Sequence, residues 1–220
     1  MTELWEVLVR HFPQFRSGFF VTLQLVAVSF AIAMVAGVFI AALRVSPVKA
    51  LQRVGGIYVE FFRNIPLLVL MVISFDGLRR AGLDIGGFTA GTASLGLYTG
   101  AYVAEAIRSG VFAVGKGQIE AALALGMSYP VSLRKIVLPQ AIRTVIPPIG
   151  NLVIALIKNS AIIGASLIAA SDLLQRARSV NSATFKTNEA FFWGAVGYLI
   201  LTVTATVIVR RLETTLAIRR

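Results

Sequence analysis

Apolar residues dominate the chain in five long stretches, and polar residues collect in the segments between them. Residues 18–43 run for 26 positions without a charge. As a helix that run is about 39 Å long, more than the roughly 30 Å hydrocarbon core of a bilayer. Residues 56–75 form a second, less pure stretch. Glu60 and Arg63 lie in its first turns, where charged heads can snorkel or pair near the interface. Asn64-Ile65-Pro66 interrupts it, and Pro66 frees a backbone carbonyl and predicts a kink. Residues 74–87 then read as an external loop or short re-entrant turn. The third stretch, 88–112, opens on glycines and small residues and carries Glu105 and Arg108 in its second half. Small residues let helices approach closely in lipid. The fourth, 144–171, is interrupted near its middle by Lys158-Asn159-Ser160, and the fifth, 190–209, has 20 uncharged residues before Arg210-Arg211.

This pattern predicts an all-α integral membrane protein with five transmembrane helices. Residues 1–17, with Trp5, Phe12 and Phe15, read as an N-terminal interfacial segment. Residues 18–213 form the transmembrane domain, and 214–220 a short tail. No signal peptide is expected: the first apolar run is too long, and Arg-Val-Ser-Pro-Val-Lys follows it instead of a small-residue cleavage site. Five spans place the two ends on opposite sides. Twelve arginines and lysines fall with the turn after residue 43, the loop around 113–143 and the tail, against seven on the other side. The richer side is expected to be cytoplasmic, so the N-terminus is outside and the C-terminus cytoplasmic. Neither an internal repeat nor the inverted-repeat signature of a complete secondary transporter is evident. A second copy or a related chain is expected to complete a pathway.

Composition narrows the chemistry. The chain has 220 residues, 57% hydrophobic and 14% charged, and its mean hydropathy is +0.81. The net charge of +11 is explained by anionic headgroups and orientation, without nucleic acid. No cysteine is present, which excludes disulfides, thiolate nucleophiles and cysteine metal sites. The single histidine, His11, reads as a polar residue at the membrane surface. Gly-Val-Phe-Ala-Val-Gly-Lys-Gly-Gln (110–118) lacks the spacing of a phosphate-binding loop. No catalytic or metal constellation stands out, so the chain itself is expected to bind no cofactor.

The loop 113–143 is longer than a plain connection needs. Residues 118–125 are strong helix formers. Gly126 suits a helix C-terminus. Ser128 can cap a second helix over 129–137, with Pro130 in its first turn, and Leu138-Pro139 is expected to end it. Alanine and glycine at the bend let a partner groove approach the backbone. Met127 and Tyr129 offer apolar contact, and Arg134 and Lys135 face headgroups or an acidic partner edge. On these residues alone, two readings stand: a docking element, or a helix-turn-helix that lies on the bilayer.

Glu120-Ala121-Ala122, three residues, Gly126, nine residues, Ile136, one residue and Leu138-Pro139 closely resemble the EAA loop of bacterial ABC importer permeases. GAYVAEAIRSG (100–110), GKGQIEAALALGM (115–127), VLPQAIRTVIPPIGN (137–151) and FFRNIPLL (61–68) resemble the polar amino acid branch of that family. The resemblance covers nearly the whole chain. It implies a type I importer permease fold in the bacterial cell membrane and a chain without its own ATPase. The implied partners are a cytosolic ATPase dimer carrying ATP and Mg2+, a second permease subunit (identical or homologous) and an extracytoplasmic amino acid-binding protein. Glu120, Ala121, Ala122, Gly126, Met127 and Tyr129 would then couple the ATPases to the spans, with Glu120 as a charged anchor and Gly126 as the bend.

Intramembrane polar groups need a partner or water. The candidates for a translocation pathway are Asn64, Glu105, Lys158, Asn159 and Ser160. Glu105 and Arg108 also make an i,i+3 pair suited to holding helices, as do Glu60 and Arg63. Asp172, near the end of the fourth stretch, reads as a helix-closing residue. Many relatives carry a Lys-Asp-Thr-Ser-like run where this chain has Lys158-Asn159-Ser160-Ala161. The missing negative charge argues against a cationic substrate. The turn at 44–49 and residues 154–162 look like glutamate importers, which points to glutamate or another acidic or amide amino acid. A stand-alone channel or carrier and a non-transporting membrane scaffold are the competing readings.

Overall fold

A computed structural model describes residues 2–83, 85–166 and 170–216, all in helices and their connections. The helices are α1 (Thr2–Val45), α2 (Lys49–Asn64), α3 (Leu67–Val72), α4 (Leu78–Arg80), α5 (Gly87–Ala113), α6 (Lys116–Ala124), α7 (Tyr129–Ser132), α8 (Leu138–Ala165), α9 (Leu173–Thr184) and α10 (Thr187–Leu216). Five-residue π-helical turns join α3 to α4 (Ile73–Gly77) and α7 to α8 (Leu133–Val137). Residues 167–169 of the expected fourth span, Asp84 of the expected external loop and residues 217–220 of the expected tail lie outside the described residues.

The expectation of five transmembrane helices is corrected. Among the described residues, three helical stretches are long and apolar enough to cross a membrane: Glu3–Val45, Leu133–Ala165 and Thr187–Thr215. The number rises to four if Lys49–Asn64 and Leu67–Arg80, bent by 103° relative to each other, form one span. That bend follows from Pro66. Ile65 and Pro66 are extended, with ψ of 133° and 130°, because a residue before proline is pushed out of the helical region. The expected third span is the 27-residue α5. Its glycines, threonines, serines and tyrosines dilute its hydropathy, and it is not among the three. The placement of the N-terminus outside and the C-terminus in the cytoplasm rested on five spans and falls with them.

α1 is one helix of 44 residues, about 66 Å long and so more than twice the depth of a hydrocarbon core. Its N-terminal end packs on α9 and α10. Val7 and Phe15 are buried there with Leu173, Ala177, Val180 and Ala190. The Trp193 indole donates to the Leu4 carbonyl at 2.8 Å, its ring packs at a tilt against Trp5, and Lys186 lies 3.6 Å from Glu6. His11 has a buried Nε2 with no hydrogen-bond partner.

α5 packs along the rest of α1. Ser29 donates to the Thr92 carbonyl at 3.2 Å, and Gly96 meets α1 so closely that a Cβ there would sit 2.7 Å from Ile32 and 3.0 Å from the Ser29 carbonyl. Twelve residues of α5 are buried, most of them glycine, alanine, serine or threonine. α8 lies on the other side of α5, and α10 and α9 complete the bundle. The central core joins Leu25, Met71, Leu95, Leu156 and Ile163. Apolar side chains such as Val35 and Phe39 on α1, and Leu199 and Val203 on α10, remain exposed, as lipid-facing positions require.

Gly96→Val is expected to separate α1 from α5. Overpacking of this kind costs about 1–3 kcal/mol. The variant should give less monodisperse protein in detergent and a lower thermal midpoint. An unchanged midpoint would refute the close-contact account.

Candidate coupling loop and polar cavity

The loop has two parts, set by ordinary helix chemistry. α6 begins two residues before the expected start and ends at Ala124. It closes with a Schellman motif: the Gly126 N–H donates to Leu123 O at 3.0 Å and the Met127 N–H to Ala122 O at 3.1 Å. Gly126 has φ of +80°, a left-handed conformation that glycine adopts without Cβ strain. α7 follows, anchored by Ser132, whose hydroxyl donates to Ser128 O at 3.0 Å and which is fully buried.

The expected helix over 129–137 does not stop at Leu138-Pro139. It passes through the π-helical turn into α8. Leu138 N–H donates five residues back to Leu133 O. That wider turn absorbs the missing N–H of Pro139, which sits in the first turn of α8.

The tip of the loop is exposed. Glu120, Ala121 and Gly126 are exposed, Met127 is half-buried and Ala122 is buried at 1%. Leu125 is 83% exposed and Tyr129 58%. Glu120 makes no ion pair among the described residues. α6 packs chiefly on α7 and the π-helical turn. A small-residue helix carrying Glu120, followed by two bare apolar side chains, thus projects from the bundle.

The other polar groups do not form one cluster. Glu105 stands between two arginines. Arg108 Nη2 donates to Oε1 at 2.6 Å, and Arg44, from the end of α1, donates to Oε2. All three side chains are less than a third exposed. The Arg44 contact joins α1 to α5 and could not be read from the i,i+3 pair alone. Asn64 is exposed and its amide donates to Glu60 O at 2.7 Å. Lys158 is exposed, Asn159 half-buried and Ser160 fully buried. Ser160 donates to Ile157 O at 2.7 Å, so its hydroxyl is spent inside its own helix. Asp172 does not close α8. It is the N-cap of α9, accepting from the Gln175 N–H, and it also accepts from the Tyr198 hydroxyl at 3.1 Å.

A cavity of about 490 Å3 opens between α2, α5 and α8. Arg63, Tyr102, Glu105, Ser109, Thr144 and Asn151 supply its polar lining. Arg63 does not pair with Glu60 among the described residues; its guanidinium lies 5.4 Å from the centre of the Tyr102 ring. Of the sequence candidates only Glu105 lines the cavity. Asn151 was missed, although one signal was present: it lies seven residues before Lys158, so both share one face of α8, about 10 Å apart.

A helical membrane bundle carrying one projecting helix–glycine–helix element has the build of a transporter's membrane subunit. The model of the binding-protein-dependent transport system inner membrane component family matches residues 33–218, and the chain belongs to that family. It is 42% identical over 207 residues to a probable glutamine ABC transporter permease protein of Bacillus subtilis, covering 94% of this chain and 95% of that one. It is 40% identical over 214 residues, 92% of each chain, to a glutamate transport system permease protein of Corynebacterium efficiens. The crystal structure of an amino acid ABC transporter with histidines superposes with a TM-score of 0.89 at 36% identity, over 94% of this chain and 96% of that one. An inward-facing methionine ABC transporter shares the fold at a TM-score of 0.72 and 22% identity, over 99% of this chain and 100% of that one. The protein is thus a multi-pass bacterial membrane permease of the ABC importer type, a subunit without its own ATPase site.

Glu105→Gln is expected to leave Arg44 and Arg108 facing each other without a counter-charge. At this partial exposure the loss should be about 1–2 kcal/mol, read as a lower thermal midpoint in detergent. A double-mutant cycle with Arg44→Met should give a coupling energy of about 1 kcal/mol; strict additivity would show that the pair is idle.

Proposed function

We propose that this chain is the permease of an ATP-driven importer of glutamate or a related acidic or amide amino acid. Separate cytosolic ATPases dock on the loop 113–143 and drive alternating access. The observation that carries the coupling role is the projecting tip: Glu120 without an ion pair among the described residues, Leu125 and Tyr129 bare, and Gly126 held at φ +80°. Exposed apolar residues on a short, polar-flanked projection favour a protein groove over solvent. The partners the family brings are the ATPase dimer, a second permease subunit and an extracytoplasmic binding protein. ATP closure of the ATPases shifts the equilibrium between two access states through this helix.

The substrate reading rests on α8. Lys158 is exposed and makes no ion pair among the described residues, and Asn159 adds no negative charge beside it. A free cation next to a neutral amide suits a carboxylate better than a cationic side chain. The glutamine and glutamate permeases among the similar chains support the same class. With Asn64, Asn159 and Glu105, Lys158 belongs to the proposed pathway; Ser160 contributes by shaping the helix. A stand-alone channel or carrier remains the competing function, and it requires transport without an ATPase.

Gly126→Glu places bulk and charge at the bend and forces a non-glycine residue into the left-handed region. Leu125→Glu changes only an exposed side chain. Both should reduce co-purification of the ATPase and ATP-driven uptake by about tenfold or more, a loss of ~1.4 kcal/mol or greater. Normal ATPase retention and uptake in both variants would sink the coupling role. Amino acid flux through the purified permease alone would transfer the function to the channel or carrier class.

A further inference from the structure

The cavity between α2, α5 and α8 has an unbalanced charge. Arg44, Arg63 and Arg108 gather around it and its rim, against Glu105 alone. Glu105 already accepts from two of these arginines. Arg63 is left with an aromatic face and no carboxylate among the described residues. Asn151, on the opposite wall, is exposed and makes no hydrogen bond among the described residues. Ser109 and Thr144 add hydroxyl acceptors. The volume, about 490 Å3, lies in the range of small-molecule sites.

From these observations we infer that Arg63 and Asn151 form a carboxylate-recognising station for an acidic amino acid, distinct from Lys158 and about two helical turns along α8 from it. The inference rests on the importer reading given above. Arg63 supplies the planar, bidentate donor that a carboxylate matches best, and Tyr102 holds the guanidinium from behind. Glu105 is a poor competitor as the anion, because its charge is already matched by Arg44 and Arg108. The Asn151 amide and the two hydroxyls face the ligand's remaining polar groups. Lys158, on the same face of α8 as Asn151, lies outside the residues that line the cavity.

The test uses the complete importer purified with its own ATPase and permease partners. It is placed in nanodiscs of neutral phosphatidylcholine, so that no anionic headgroup is present, and radiolabelled glutamate binding is measured without the binding protein. Saturable binding is expected. Arg63→Gln should weaken it about tenfold or more, and Arg63→Lys should restore part of the loss. Asn151→Asp, on a different helix, should weaken glutamate binding by a similar factor and glutamine binding less. Assembly of each variant is checked by its subunit stoichiometry. Unchanged glutamate binding in Arg63→Gln or Asn151→Asp, or no glutamate binding by the parent complex, overturns the station. An Arg63→Gln effect that appears only when anionic lipid is added also overturns it, in favour of a headgroup site. ATP-driven amino acid uptake by the parent complex is measured in parallel in proteoliposomes supplied with the binding protein. Its presence with a failed station leaves the importer reading standing, and its absence removes both.

Discussion

Close contact between α1 and α5 is the constraint on which the rest depends. Lipid tails are as apolar as leucine, so helices in a bilayer gain little by hiding apolar side chains from one another. They gain by packing backbones closely and by exchanging hydrogen bonds. Gly96 against Ile32, and the Ser29 hydroxyl on the Thr92 carbonyl, supply both. The same small residues make α5 too polar to stand out as a span by hydropathy. Its place at the centre compensates, because its polar atoms face protein. Once α5 is fixed, Glu105 meets Arg44 across the helix pair, and the wall shared with α8 leaves the polar cavity.

The loop works by the opposite logic. It has little burial of its own, so local backbone chemistry must hold its shape. The Schellman closure satisfies two orphan carbonyls, those of Ala122 and Leu123, and only glycine takes the left-handed position without strain. Ser132 and the π-helical turn then join the projection to α8 without a flexible linker. From α7 onward the chain runs as one helical stretch into α8, the helix that carries Asn151 and Lys158. That continuity came from an arrangement around Pro139 that reads, in one dimension, as a stop.

Charge is distributed unequally in the bundle. Glu105 is enclosed by arginines from two helices, which makes it a fixed point in the bundle. Arg63 and Lys158 have no carboxylate partner among the described residues. Charges beside a membrane interior are retained at a cost, and an unpaired one marks the place where a ligand or water supplies the partner. The i,i+3 rule correctly joined Glu105 to Arg108. It failed for Glu60 and Arg63, where the bend after Asn64 leaves Arg63 free to reach Tyr102 on another helix.

The sequence by itself determined what depends on near neighbours. The apolar runs announced a helical membrane protein. The alanine-rich segment followed by Gly126 announced a helix and its bend, and the spacing around Glu120 announced the family. Each is a short-range signal: hydropathy, helix propensity or a backbone angle. Tertiary structure decided the rest. It drew α5 into the protein interior. It also placed Arg44 on Glu105 and opened the cavity at Arg63 and Asn151. Those outcomes depend on which faces meet across 40 or more residues of chain, and hydrophobic periodicity holds no information about that pairing.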